Sequence, residues 1–237
     1  LRIFHYPLAI PRILFMKTFI AFCALGAFAV STAAYADVPP TVHRIVTTDG
    51  AVGVNMSNNG QWVVANPSHS VGDDPTAAHL YDVDAETYEK LPGFGEALDV
   101  TDDGNLVVGS YNGRPAYWTR SDGKWHTISV PAGWVSGRFN AVTPDGHYAV
   151  GTYSDESLYY ECGVMWDLTT GKEVRLTNLP KKNMLGGNSG EMRFTDISAD
   201  GRYVLMTMDF AYLEPAELCS FVYDVETQTY QTIGFTP

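Results

Sequence analysis

Four copies of one pattern constrain this 237-residue chain more than any other feature. Gly60, Gly104, Gly146 and Gly201 each close a tight turn between two short apolar runs, at spacings of 44, 42 and 55 residues. Behind each turn a third run carries an aromatic, in order Tyr81, Trp118, Trp166 and Tyr223, and a second turn leads to a fourth run. Asp-Gly and Asn-Gly tolerate the positive φ that tight hairpins demand. A single four-stranded sheet has two apolar faces and can bury neither alone. Stacking such sheets around an axis buries both, and a period in the forties with four strands per period is the mark of propeller blades. No segment keeps a helical period for ten residues or more. The predicted fold is therefore all-β, a β-propeller of four-stranded blades with four blades visible.

The blades are expected at about 51–93, 94–133, 134–180 and 191–237, with strands such as Val52–Met56, Gln61–Ala65, Ala97–Thr101, Lys124–Val130 and Gly163–Leu168. In the third-strand Asp position the second repeat is read as carrying Arg120. Residues 37–50 hold a candidate closing strand, Val42–Thr47. Its three blade partners are not visible, so the chain reads as a fragment of a larger propeller. The alternative is a closed four-bladed ring with one extra edge strand. An unclosed stack would leave an apolar face exposed.

Residues 1–36 read as an upstream leader and signal peptide. Met16-Lys17, the apolar run Phe19–Val30 and the small residues ending at Ala36 make a secretory pattern too short to span a bilayer. The mature chain is then expected outside the cytoplasm, in the periplasm, at the cell surface or beyond it, with no membrane span. Its removal takes three cations and no acids, so the net charge moves from −12 to −15. So acidic a surface excludes nucleic acid and anionic membranes as partners. Cys162 and Cys219 remain, in equivalent places of neighbouring repeats. Such places usually lie farther apart than a disulfide allows, so two unbridged thiols are expected.

The stretch TPDGHYAVGTYS…GVMWDLTTGKEVRLT resembles the repeat of TolB-type propellers, and the pattern at Ala97–Gly109 is similar to repeats of secreted bacterial propellers of the HAF kind. The likeness covers Val52–Phe235 and implies a fold; such repeats serve many tasks.

Function is sought in the loops. Short uniform turns fall on one face of the disc, and long varied loops on the other. The long loops carry Trp134, Arg138, Tyr159, Tyr160 and Tyr212, with Arg193 just beyond. Aromatic and charged groups of this kind suit a glycan or a peptide. Five residues before each turn glycine stand Asn55, Asp99, Ala141 and Asp196; eight before stand Val52, Glu96, Arg138 and Arg193. If first strands line a channel, Asp99, Asp196, Arg138 and Arg193 converge there, either as acid–base machinery or as mutually paired charges.

The histidines lack zinc spacing, and no G-x-S-x-G elbow or phosphate loop occurs. Asp73-Asp74 and Asp102-Asp103-Gly104-Asn105 hint at calcium without the ligand series of a dedicated loop. Three functions fit: a non-catalytic binder of protein or glycan, an exported hydrolase or lyase using channel carboxylates, and an envelope scaffold.

Overall fold

The computed structural model describes residues 51–67, 77–156, 161–180, 191–210 and 217–236. The leader, Val42–Thr47, Asp73-Asp74, Tyr159, Tyr160 and Tyr212 lie outside them.

Among the described residues sixteen strands form four antiparallel sheets, each with its strands in sequence order. The first blade holds β1 (Ala51–Met56), β2 (Trp62–Pro67), β3 (His79–Asp82) and β4 (Thr87–Lys90). The second holds β5 (Gly95–Val100), β6 (Leu106–Tyr111), β7 (Arg114–Thr119) and β8 (Lys124–Thr127). The third holds β9 (Ser136–Val142), β10 (Tyr148–Ser154), β11 (Glu161–Asp167) and β12 (Lys172–Glu173). The fourth holds β13 (Glu191–Ile197), β14 (Tyr203–Phe210), β15 (Glu217–Asp224) and β16 (Thr229–Thr236).

The repeat is a repeat of hydrogen bonds. In each first turn a Ser or Thr hydroxyl donates to the Asx two residues on: Ser57 to Asn59 at 2.7 Å, then Thr101 to Asp103, Thr143 to Asp145 and Ser198 to Asp200, each at 2.6 Å. The same Asx oxygen accepts the backbone N–H two residues further, as at His147 and Arg202. The turn glycines then take φ between 66° and 78°, a region open to glycine at little cost. Gly104 and Gly201 have a second reason to lack a side chain. A Cβ on Gly104 would run into the Trp62 ring of the blade before, and one on Gly201 into Tyr148.

The second turns use an Asp just after the third-strand aromatic. Asp82, Asp167 and Asp224 each accept two backbone N–H groups of their own turn. In the second blade that register place belongs to Thr119, paired with Leu106 as Asp167 is with Tyr148. This corrects the placement of Arg120, which lies one residue later. Arg120 instead covers the Trp62 ring at 4.9 Å, pairs with Glu89 at 2.7 Å and donates to the Gly104 carbonyl, tying the first two blades together.

Two outer strands are shorter than their apolar runs suggest. β12 keeps only Lys172 and Glu173, while Val174, Leu176 and Leu179 turn aside to pack on the core shared by the third and fourth blades. Likewise β8 stops at Thr127, and Ile128 and Val130 pack over the core between the second and third. Ile128 and Val174 still donate their N–H to the Pro115 and Met165 carbonyls of the neighbouring strands, and beyond them burial of apolar area takes over.

Three apolar layers separate the blades. Val64, Leu80, Leu91, Val100 and Trp118 fill the first, Val108, Phe139, Val142, Tyr153 and Val164 the second, and Met165, Phe194, Met206, Phe221 and Tyr223 the third. In β10 the run from Ala149 to Tyr153 is buried throughout, because both faces of its sheet are covered. In β14 buried Val204, Met206 and Met208 alternate with half-buried Leu205 and Thr207, the pattern of a sheet covered on one side. Val52, Val54 and Met56 on β1, and Tyr203, Tyr230 and Ile233 on the last blade, stand exposed at the two ends of the stack. Cys162 is an exposed free thiol on β11, and Cys219 is buried on β15. Among the described residues no helix is long and apolar enough to cross a membrane.

Candidate functional site

Every first strand carries the same β-bulge, with the extra residue six before the turn glycine: Val54, Leu98, Asn140 and Thr195. A bulge frees backbone groups from the ladder and re-aims side chains. The Asx that follows caps the N–H thus released. Asn55, Asp99 and Asp196 accept from the N–H of Met56, Val100 and Ile197 at 2.8–2.9 Å. Ala141 has no such oxygen, and the Val142 N–H donates instead to the second oxygen of Asp99, at 2.9 Å. The Asn55 amide donates to the first oxygen of Asp99 at 3.1 Å. One carboxylate thereby clamps three consecutive blades.

Asp99, Asp196 and Asn55 line a small polar cavity of about 150 Å³ at the hub, with Val142 and Pro144. Burial pushes the Asp99 carboxyl up to about 6, against the pull of its two backbone donors, and the nearby Asp196 charge adds to the rise. Its oxygens face protein donors, so the group is a buried structural clamp whose raised value comes from desolvation.

Arg138 and Arg193 lie apart from those acids, toward the long-loop ends of their strands. Arg193 pairs with Glu161 across the third and fourth blades. Arg138 lines a cleft of about 300 Å³ between the second and third blades, together with Glu96, Ser110, Ser136, Thr152, Ser154 and Glu161. Strand register builds this cleft: Glu96 lies opposite Ser110, Arg138 opposite Thr152, and Ser154 opposite both Ser136 and Glu161. The Gly137 N–H donates to the Gly113 carbonyl at 2.9 Å and fixes the floor across the blade boundary. Arg138 spends its Nε on Asn140 at 3.1 Å, which leaves its terminal fork open. Glu96 has only a long contact from the Ser110 hydroxyl, 3.4 Å. Neither charge has an ion-pair partner among the described residues.

The quartet expected to converge is thus divided: Asp99 and Asp196 line the hub cavity, Arg138 lines the cleft, and Arg193 pairs with Glu161 of that cleft. Trp134 packs its half-buried ring against the core between the second and third blades. Asp103, one of the residues that suggested calcium, has its oxygens taken up by Thr101 and Asn105 within its turn. Among the described residues no group of three or more metal-ligating side chains gathers. Sequence reasoning missed the hydroxyls of Ser110, Thr152 and Ser154. The signal was the cluster of hydroxyl residues near the ends of the second strands.

No protein-family model and no curated protein matches the chain. Solved structures do. TolB from Acinetobacter baumannii superposes with a TM-score of 0.54 at 17% identity, over 79% of this chain and 44% of that one. A putative TolB from Agrobacterium tumefaciens gives 0.51 at 11% identity, over 76% and 63%. Dipeptidyl peptidase 4 from Porphyromonas gingivalis gives 0.51 at 8% identity, over 76% and 32%. The fold is a β-propeller. The chain spans less than two thirds of the length of each of these propeller-containing proteins. At such identities the likeness speaks for the blades alone.

Proposed function

We propose that this propeller is an exported, non-catalytic binding module that takes a protein or glycan ligand on its long-loop face. The observation that carries the reading is the cleft between the second and third blades, where Glu96 and Arg138 face one volume without neutralising each other. Charges left uncompensated in a concave site are more useful to a ligand than to the fold. Asp99 speaks against the hydrolase or lyase alternative, because Val100, Val142 and Asn55 already occupy its oxygens. A general acid needs a proton within reach of substrate. The proposed export rests on the leader pattern ending at Ala36.

The test is a screen of the purified chain against immobilised glycans and peptides, repeated with Glu96→Gln and Arg138→Gln. Expected is at least one ligand whose binding both substitutions weaken while the thermal midpoint stays put. Binding that ignores both substitutions would remove the cleft from the reading.

A further inference from the structure

The cleft's chemistry narrows its ligand, granted that the long-loop face is the binding face. Its described lining contains no aromatic ring. The rings nearest in sequence are engaged elsewhere: Phe139 is buried in the core, Tyr111 stacks on Trp125, Trp134 packs on the core, and the Tyr153 hydroxyl accepts a hydrogen bond from Trp166 at 3.1 Å. A sugar ring would find hydroxyls there but no platform to stack on. Glu161 in the lining is already paired with Arg193, so a simple anion would meet Arg138 but also Glu96 and a chain of net charge −12, and a simple cation would meet Arg138.

A ligand with one charge of each sign meets neither objection. The Arg138 fork, with its Nε already held by Asn140, presents parallel donors that match a carboxylate. Glu96, whose carboxylate has a single weak hydroxyl contact, matches an ammonium group. Ser136 and Ser154, opposite each other across β9 and β10, supply hydroxyls that can bond main-chain amides. The volume, about 300 Å³, lies at the small end of ligand pockets, which run from about 300 to 1,000 Å³. We propose that the cleft binds a short zwitterionic peptide, its terminal carboxylate on Arg138 and its terminal ammonium on Glu96.

Calorimetric titration with trialanine tests this, beside trialanine amide, N-acetyl-trialanine and the neutral glycan cellotriose. Free trialanine should bind, and each capped form should lose about tenfold or more, the worth of one charge-assisted hydrogen bond. In Arg138→Gln, trialanine and its amide should bind equally while the acetylated form remains disfavoured. In Glu96→Gln the discrimination should reverse. This crossed pattern cannot arise from misfolding, which would weaken every probe alike. Capped forms binding as well as free trialanine would overturn the proposal. So would cellotriose binding without trialanine, although the binding face itself would survive. Binding of none of the probes would count against both the peptide and the face.

Discussion

Replacing Asp99 by Asn should change how the stability of the whole stack depends on pH. In the folded chain the Asp99 carboxyl titrates at about 6, against 3.8 for an unperturbed group. A raised value means that the folded state holds its proton more tightly than the unfolded chain does. The stabilising contribution is therefore complete below about pH 4 and is lost as pH rises through 6. Two pH units correspond to about 3 kcal/mol over the whole window, of which about 2 kcal/mol falls between pH 8 and 4.5. Asparagine cannot titrate. It can accept from the Val100 N–H as Asn55 accepts from Met56, but its amide nitrogen then faces the Val142 N–H. The variant should be less stable throughout by about 1–3 kcal/mol, the cost of a lost buried acceptor. That deficit should widen by about 2 kcal/mol from pH 8 to pH 4.5. For a domain of this size the widening amounts to a relative fall in Tm of about 4–8 °C. Exposed turn aspartates such as Asp145 and Asp200, held low by their hydroxyl and backbone donors, act in the opposite direction in both proteins and cancel in the difference. Thermal or urea melts of the two proteins across this range give the answer. A deficit that narrows toward acid would mean that the Val142 and Val100 donors outweigh burial, and the assignment of Asp99 as a desolvated clamp would fall.

Two further substitutions probe the blades. Gly146 has a φ of 73° and its missing Cβ would touch Thr101, so Gly146→Val should cost roughly 2 kcal/mol or more in a denaturant titration; an unchanged midpoint would refute the hairpin geometry. Trp134→Ala should lower Tm, by roughly 1–2 kcal/mol in stability, because the ring packs on the core between the second and third blades; unchanged stability would return the ring to the list of ligand contacts.

The blades were legible because their turns are chemical. A hydroxyl residue, an Asx and a glycine at fixed offsets leave few other conformations, and the hairpins at Gly60, Gly104, Gly146 and Gly201 are found where the sequence puts them. Strand ends were less legible. β12 ends early because Val174 and Leu176 have a better place against the core shared with the next blade, which the local sequence does not show. The slip at Arg120 has a local origin: Thr119 holds the register place of the Asp, while Asp122 caps the turn in its stead, accepting from the Thr119 hydroxyl at 2.8 Å and the Lys124 N–H at 3.1 Å. The candidate site was half visible. Glu96 and Arg138 share an offset from their turn glycines, so the sequence aligns them. It does not say that Asp99, three residues further along, would spend its oxygens on the next blade's backbone. That bond joins residues 43 apart and becomes visible only when two sheets stack.

The contact of a bare glycine with the preceding blade's side chain bears on how such an array can change through evolution. Gly104 accommodates Trp62, and Gly201 accommodates Tyr148. Each partnership straddles a boundary, so a unit cut out at its own ends carries away half of one and half of another. Duplication or exchange of units would succeed most readily when the cut falls between the bulky member and its own strand's turn, so that matched halves travel together.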